Sequence, residues 1–254
     1  VALGYKALTD ITVGANNVAV GPNAAAYMNN SSFNVSIGNQ AMYNGSYADY
    51  NIAIGYYSLY NVLNGANNIG IGFRALYSNL ADYNVAIGYY SMNSNTTGDK
   101  NVAIGYYTMT DNTTGYNNTA IGYAAYENGT NGYSNTAIGT NALATITSGA
   151  GNTAIGVDAA KSTTGYSNTA LGISALANNT SGTRIVAIGD FTGGTEINNS
   201  YCTFIGSAAS TNSVGPYNYS SAFGYSSTID ASYQVRIGNA STTSIGGYAN
   251  WTNI

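Results

Sequence analysis

The sequence predicts an all-β chain wound as a parallel β-solenoid, one short coil stacked on the next. Three observations carry that prediction. An Asn-hydrophobic-Ala-Ile-Gly motif recurs along almost the whole chain, its glycine falling at Gly4, Gly21, Gly38, Gly55, Gly72, Gly88, Gly105, Gly122, Gly139, Gly156, Gly172, Gly189 and Gly206. The interval is 17 residues, shortened to 16 only at 72→88 and 156→172. A unit of that length is too short for two helices with their turns and suits short strands joined by turns. Ile, Val and Tyr also return at fixed positions, which separates this polar, Gly-rich chain from a disordered one.

Within a unit the first strand is the Ile-bearing segment, for example Asn101-Val102-Ala103-Ile104-Gly105. Alternation places Val102 and Ile104 on one face and Ala103 on the other. The Ile row (Ile37, Ile54, Ile71, Ile87, Ile104, Ile121, Ile138, Ile155, Ile188) is expected to be the buried spine, each side chain contributing roughly 1.5–3 kcal/mol. A second strand is expected four or five residues on, at Ala75-Leu76, Ser91-Met92, Thr108-Met109, Ala142-Leu143 and Ala175-Leu176. Asn95-Thr96-Thr97-Gly98, Asn112-Thr113-Thr114-Gly115 and Ser162-Thr163-Thr164-Gly165 are natural reversals between coils. About fourteen coils, each advancing about 4.8 Å, make a rod on the order of 65–70 Å long.

The remaining rows each carry an expectation. A strand face that accepts only small residues (Ala53, Ala86, Ala103, Ala120, Ala137, Ala154, Ala170, Ala187, with Ser36 and Gly70) is closely approached, by the other strand of the coil or by a second copy of the chain. The second copy is favoured, because a second Ala-rich row (Ala7, Ala41, Ser58, Ala75, Ser91, Ala125, Ala142, Ala159, Ala175) suggests association about a common axis. The position before Ala alternates between Val85 or Val102 and Thr119, Thr136, Thr153 or Thr169, so it is at most partly buried. The Asn row (Asn51, Asn68, Asn84, Asn101, Asn118, Asn135, Asn152, Asn168) is expected to hold a left-handed turn, its amides bonding coil to coil. Near the end the small position reads as Phe204, Phe223 and Arg236, and the spacing becomes 18 (206→224) and then 14 (224→238). The chain therefore divides into regular repeats over 1–189, a degenerate transition over 190–238 and an exit segment over 239–254.

Composition excludes several functions. Charged residues are 6 % of the chain, the net charge is −4, and the six Lys and Arg are scattered singly, which offers no footprint for nucleic acid. There is no His, so the commonest general base, metal ligand and triad member is missing. Cys202 is the only cysteine and is expected to be a small packing residue. No apolar run approaches the roughly 20 residues of a membrane span, and no signal peptide is visible. Val1-Ala2-Leu3-Gly4 starts inside a repeat, so the chain is expected to be a fragment whose anchor or export signal lies outside it.

The most site-like feature is an aromatic row directly after the motif glycine: Tyr56, Phe73, Tyr89, Tyr106 and Tyr123, with a second ring at Tyr57, Tyr90 and Tyr107. Aromatic faces stack on sugar rings and phenol hydroxyls hydrogen-bond them, so the row reads as a glycan-binding stripe. The alternative is a stack that stabilises the rod or fills a groove between chains. Catalysis finds no such support. The acids (Asp10, Asp49, Asp82, Asp99, Asp111, Glu127, Asp158, Asp190, Glu196, Asp230) stand singly, and Asp99 and Asp111 are 12 residues apart, which is not one coil. No phosphate loop, metal site or cofactor motif is present, and Asn-X-Ser/Thr triplets such as Asn44-Gly45-Ser46 and Asn128-Gly129-Thr130 are explained by composition.

At this period, Asn-Val-Ala-Ile-Gly followed by Ala-Leu or Ser-Met resembles the head repeat of trimeric autotransporter adhesins. That resemblance covers roughly residues 1–206 and implies a left-handed parallel β-roll wound as a homotrimer. Similar repeats with the Asn-Thr-Thr-Gly spacer occur in bacteriophage tail fibres and bacterial surface fibres. The stretch Gln234-Val235-Arg236-Ile237-Gly238 through Ser244-Ile245-Gly246-Gly247 and Asn250-Trp251-Thr252 resembles the segment that precedes an endosialidase-type intramolecular chaperone. Those chaperones cleave themselves off beside a Ser-Asp motif. None follows Ile254, so the chain would correspond to a mature fibre ending near the cut or to a truncated one. The resemblances imply a non-enzymatic fibre, on a virion or a bacterial surface, whose partners are its own copies and a cell-surface glycan or envelope receptor. The alternatives are a bacterial adhesin or filament and a plain structural spacer.

Overall fold

A computed structural model describes residues 1–194, 198–212 and 216–245. The chain is an all-β parallel solenoid of about 14 turns, with no helix among the described residues. Fifteen strands, from Ala2–Leu3 to Val235–Ile237, stack into one parallel ladder in strict sequence order. Register follows the motif residue for residue: Val85 pairs Val102 and then Thr119, Ala86 pairs Ala103 and Ala120, Ile87 pairs Ile104 and Ile121. The two 16-residue coils keep that register, Gly70 facing Ala86 and Ala154 facing Ala170. Their missing residue is therefore taken out of a turn.

The expected inside and outside are reversed. Ala53, Ala86, Ala103, Ala120, Ala137, Ala154, Ala170 and Ala187 are all fully buried within their own chain, so they do not face a second copy. The Ile row lies on the outer surface, with Ile37 at 38 % and Ile104 at 36 % exposure, and is not the spine. Alternation separates the two faces of a strand without saying which one points inward. The width of the coil decides. Facing the Ala row from across the coil is a row of Met42, Leu59, Leu76, Met92, Met109, Leu143 and Leu176, all buried. A Cβ built on Gly70 would lie 2.7 Å from Ser58 Oγ and 3.1 Å from Leu59 Cγ, which shows how closely the two walls approach. At this level of the coil one small side chain meets one large one, and an Ile in place of Ala would overpack it. The second Ala-rich row is internal too: Ala41, Ser58, Ala75, Ser91, Ala125, Ala142, Ala159 and Ala175 are fully buried.

The expected second strand is replaced by a turn of alternating handedness. Tyr57 (φ 60°) and Leu59 (φ 48°) are left-handed, as are Tyr107 (φ 54°) and Met109 (φ 51°) three coils further along. Their amides still bond coil to coil, Leu59 N–H to Ala75 C=O at 2.9 Å and Met109 N–H to Ala125 C=O at 3.1 Å. A second strand forms only late, where Ser210–Thr211 pairs Thr228–Ile229; upstream that wall carries isolated bridges from Tyr27 to Asn44 and from Asn44 to Asn61.

The Asn row bonds coil to coil as expected. Oδ1 of each Asn accepts the backbone N–H of the next, Asn101 from Asn118 and Asn118 from Asn135, both at 2.9 Å. Each Nδ2 donates to a turn carbonyl of the following coil, Asn118 to Gly132 at 2.8 Å. These amides are buried and satisfied at both ends, as buried polar groups require. The left-handed residue is not Asn itself but the one before it, such as Tyr50, Tyr83 and Lys100. A second buried amide row, Asn79, Asn95 and Asn112, lines the Asn-Thr-Thr-Gly turns: Asn95 Nδ2 donates to Asn79 Oδ1 at 2.6 Å and Asn112 Nδ2 to Asn95 Oδ1 at 2.8 Å. The position before Ala is half-buried throughout the strands from Val85 to Thr169, as its Val/Thr variation implied.

The regular pattern decays in a specific way. Ile185, Cys202 and Ser220 take over the Asn position, and Cys202 is buried with its thiol 3.0 Å from the Tyr217 carbonyl. Phe204 is inside, and Gly193 leaves room for it, since a Cβ there would sit 3.3 Å from the Phe204 ring. Phe223 does not hold the small position: it pairs with Ile205 and Ile237, whereas Ala222 pairs with Phe204 and Arg236. Arg236 does occupy the small row, half-buried and ion-paired to Asp230 at 3.1 Å. Glu196, Gly246, Gly247, Asn250, Trp251, Thr252 and Ile254 lie outside the described residues.

Candidate functional site

The aromatic row follows from the motif by simple geometry. Each ring sits two residues after a motif Ile and one after the glycine, so successive coils deliver it to the same corner. Gly105 shows why that corner must start with glycine: its φ is 142°, and a Cβ would lie 2.2 Å from the Gly122 carbonyl oxygen. The corner is therefore held tightly and the ring after it has little freedom of placement.

Tyr56, Tyr89, Tyr106 and Tyr123 are exposed, and Phe73 is half-buried between them. The rings stack along the rod. Centroid separations are 5.6 Å for Tyr56–Phe73, 5.1 Å for Phe73–Tyr89, 4.8 Å for Tyr89–Tyr106 and 5.7 Å for Tyr106–Tyr123. The last three pairs lie within 16° of parallel, and Tyr56 is tilted by 48°. The second rings, Tyr57, Tyr90 and Tyr107, are half-buried beside the first. Tyr107 meets Tyr106 edge-on at 4.6 Å, and Tyr90 meets Tyr89 at 4.8 Å. All eight predicted residues therefore form one continuous aromatic surface.

Two phenols of this surface are shifted towards the protonated form. Tyr56 is raised above its ordinary value by the neighbouring Tyr57 hydroxyl and by burial, against a lowering from the charge of Arg74. Tyr107 is raised by burial first and by Tyr106 next. Neutral hydroxyls both donate and accept, which is the chemistry that polyol recognition uses.

Sequence reasoning missed three features of this surface. A second stack, Tyr43–Tyr60–Tyr77, runs beside the first at 5.1 and 5.0 Å and within 4° of parallel. Two further stacks lie at the corner before the Asn row: Phe33–Tyr50 at 4.9 Å, and later Tyr201–Tyr219–Tyr233 at 4.8 and 5.1 Å. The third is Arg74, which stands in the register of Tyr57 and Tyr90 with its guanidinium among their rings. A lone cation interrupting a Tyr row was the visible signal.

Among the described residues, no group of three or more His, Cys, Asp or Glu side chains is placed to hold a metal. Among the described residues no helix is long and apolar enough to cross a membrane. No protein-family model matches the chain, and no curated protein matches it.

Proposed function

We propose that the chain is a non-enzymatic segment of a homotrimeric fibre, on a virion or a bacterial surface, that attaches to a cell surface by binding glycans along its aromatic corner. The observation that carries this reading is the exposed, continuous stack from Tyr56 to Tyr123. The ring faces are turned to one another, so what the stack offers is a row of ring edges and phenol hydroxyls at about one-coil spacing. Such a row suits an extended saccharide, and repetition raises avidity without high affinity at any one site.

The outer Ile row supports the trimer. An apolar strip running the length of a rod is the surface that a second and third copy would cover. Left-handed winding, as in the adhesin heads that the repeat resembles, is part of the same proposal.

A glycan array probed with the intact chain tests attachment: retention of at least one glycan class is expected, and failure to bind any glycan or envelope fraction refutes it. Native light scattering tests the assembly, for which a monomeric mass is the refuting result. A second reading, a structural spacer, is favoured by the Phe33–Tyr50 and Tyr201–Tyr219–Tyr233 stacks, which show the same geometry at another corner. A spacer would keep its behaviour when Tyr89, Tyr106 and Tyr123 become Ser.

A further inference from the structure

Arg74 is a cation whose hydrogen-bonding capacity the fold leaves unused. It stands two residues after Gly72, in the register held by Tyr57 in the coil before and Tyr90 in the coil after. Its backbone is left-handed (φ 55°), and its N–H donates to the Tyr56 carbonyl at 3.0 Å, so the base of the side chain is pinned by the coil ladder. The guanidinium carbon lies 4.9 Å from the Tyr77 ring centroid, 5.6 Å from Tyr90, 5.7 Å from Tyr57 and 5.8 Å from Phe73. These are cation–π distances, which explains how a charge is tolerated at a half-buried position.

Ring faces give no acceptor in the plane of the guanidinium. Nε of Arg74 is buried without a hydrogen-bond partner, and no carboxylate pairs with the side chain among the described residues. Four of the other five cations are engaged differently: Lys100, Lys161 and Arg236 pair with acids at 2.6, 3.2 and 3.1 Å, and Arg184 donates to the Tyr201 hydroxyl at 2.8 Å, while Lys6 lies over the Tyr5 ring at 5.5 Å, outside the stack from Tyr56 to Tyr123. A half-buried planar fork with no protein acceptor matches a carboxylate, which accepts two parallel N–H bonds.

We propose that Arg74, with Tyr56, Tyr57, Phe73, Tyr89 and Tyr90, forms a subsite for an acidic sugar: the guanidinium pairs with the sugar carboxylate while the neighbouring ring edges and phenol hydroxyls contact the rest of the sugar. This rests on the reading of the aromatic corner as a glycan-binding stripe and adds the charge of the unit that it selects. The rod carries a net charge of −4, so a polyanion gains nothing from the protein's overall field. Selectivity for acid therefore resides in one side chain.

Calorimetry with the intact chain against matched probes tests this. Hexagalacturonate is compared with its methyl ester, and 3′-sialyllactose with lactose, so that each pair differs in carboxylate. At least one acidic probe should bind about tenfold more tightly than its neutral counterpart, the scale of a charge-assisted bidentate pair. Arg74→Gln should erase that difference, Arg74→Lys should keep part of it, and moderate salt should weaken it. The melting temperature of Arg74→Gln separates a binding role from a packing one: a large drop with unchanged selectivity would make Arg74 a structural plug and overturn the inference. Equal binding of acidic and neutral probes overturns it while leaving the glycan stripe intact. No binding of any sugar removes both.

Discussion

Tyr126 fills the space that Gly129 leaves empty: a Cβ on Gly129 would lie 1.8 Å from Tyr126 Cε1. Tyr126 stands in the interior row that Met109 and Leu143 occupy on either side, and its larger ring needs both that gap and the one at Gly132, where a Cβ would approach its hydroxyl to 2.3 Å. The hydroxyl finds its partner in Asn135 Nδ2 at 3.2 Å. Gly129→Ala is expected to destabilise the rod by about 1–3 kcal/mol through overpacking. Combining it with Tyr126→Leu should recover most of the Gly129→Ala loss, a coupling that a double-mutant cycle in urea would measure. Additive losses would mean the ring and the glycine do not share the space.

The same ring predicts an alkaline limit. Burial raises the Tyr126 phenol above the ordinary value of 10.0, against a lowering by the Asn135 hydrogen bond. Below about pH 10 both folded and unfolded chains keep the proton, and this group contributes no pH dependence. Above it the unfolded chain loses the proton first, so stability falls as pH rises through the window between the two values. Melting temperatures from pH 8 to 11 should drop at the alkaline end, and the drop should be shallower in Tyr126→Phe.

Asn118 ties two coils with one side chain, accepting from the Asn135 amide and donating to the Gly132 carbonyl. Asn118→Ala strands a buried donor and a buried acceptor at once. A loss of about 2–4 kcal/mol is expected, with hydrogen exchange rising locally around residues 115–135 and little change in distant coils. A uniform rise along the chain would contradict nearest-neighbour stacking.

Inside and outside can be told apart by charge. Ile104→Lys and Ile121→Lys place cations on the outer row and should leave the far-ultraviolet spectrum of the coil unchanged, and under the trimer proposal they lower the native mass towards a monomer. Ala103→Leu, by contrast, puts bulk into the fully buried row and should cost about 1–3 kcal/mol of folding stability. If Ile104→Lys unfolds the rod and Ala103→Leu does not, the assignment of faces is wrong.

The period, the strand at Val102–Ile104 and the amide ladder through Asn118 were legible because each depends on a repeated residue type with one structural use. Which face of that strand points inward was not. Val102 and Ile104 oppose Ala103 in either orientation, and the deciding quantity is the width of the coil, set by Met109 closing in through a left-handed turn. Left-handed Leu and Met are rare enough that Ala75-Leu76 reads as strand from sequence. The aromatic corner was found from its spacing. Arg74 was overlooked because one residue has no period, and its meaning lies in rings contributed by the coils on either side.

The amide ladder has a mechanical consequence. Bonds between stacked coils run along the axis of the rod, so tension applied to its ends loads every bond at one interface together, while successive interfaces carry that load in series. Such a rod yields at its weakest junction rather than stretching evenly. In this chain the junctions beyond Asn168 hold Ile185, Cys202 and Ser220 in place of the amide, so a pulled solenoid would part there first, leaving the aromatic corner from Tyr56 to Tyr123 intact on the stronger segment.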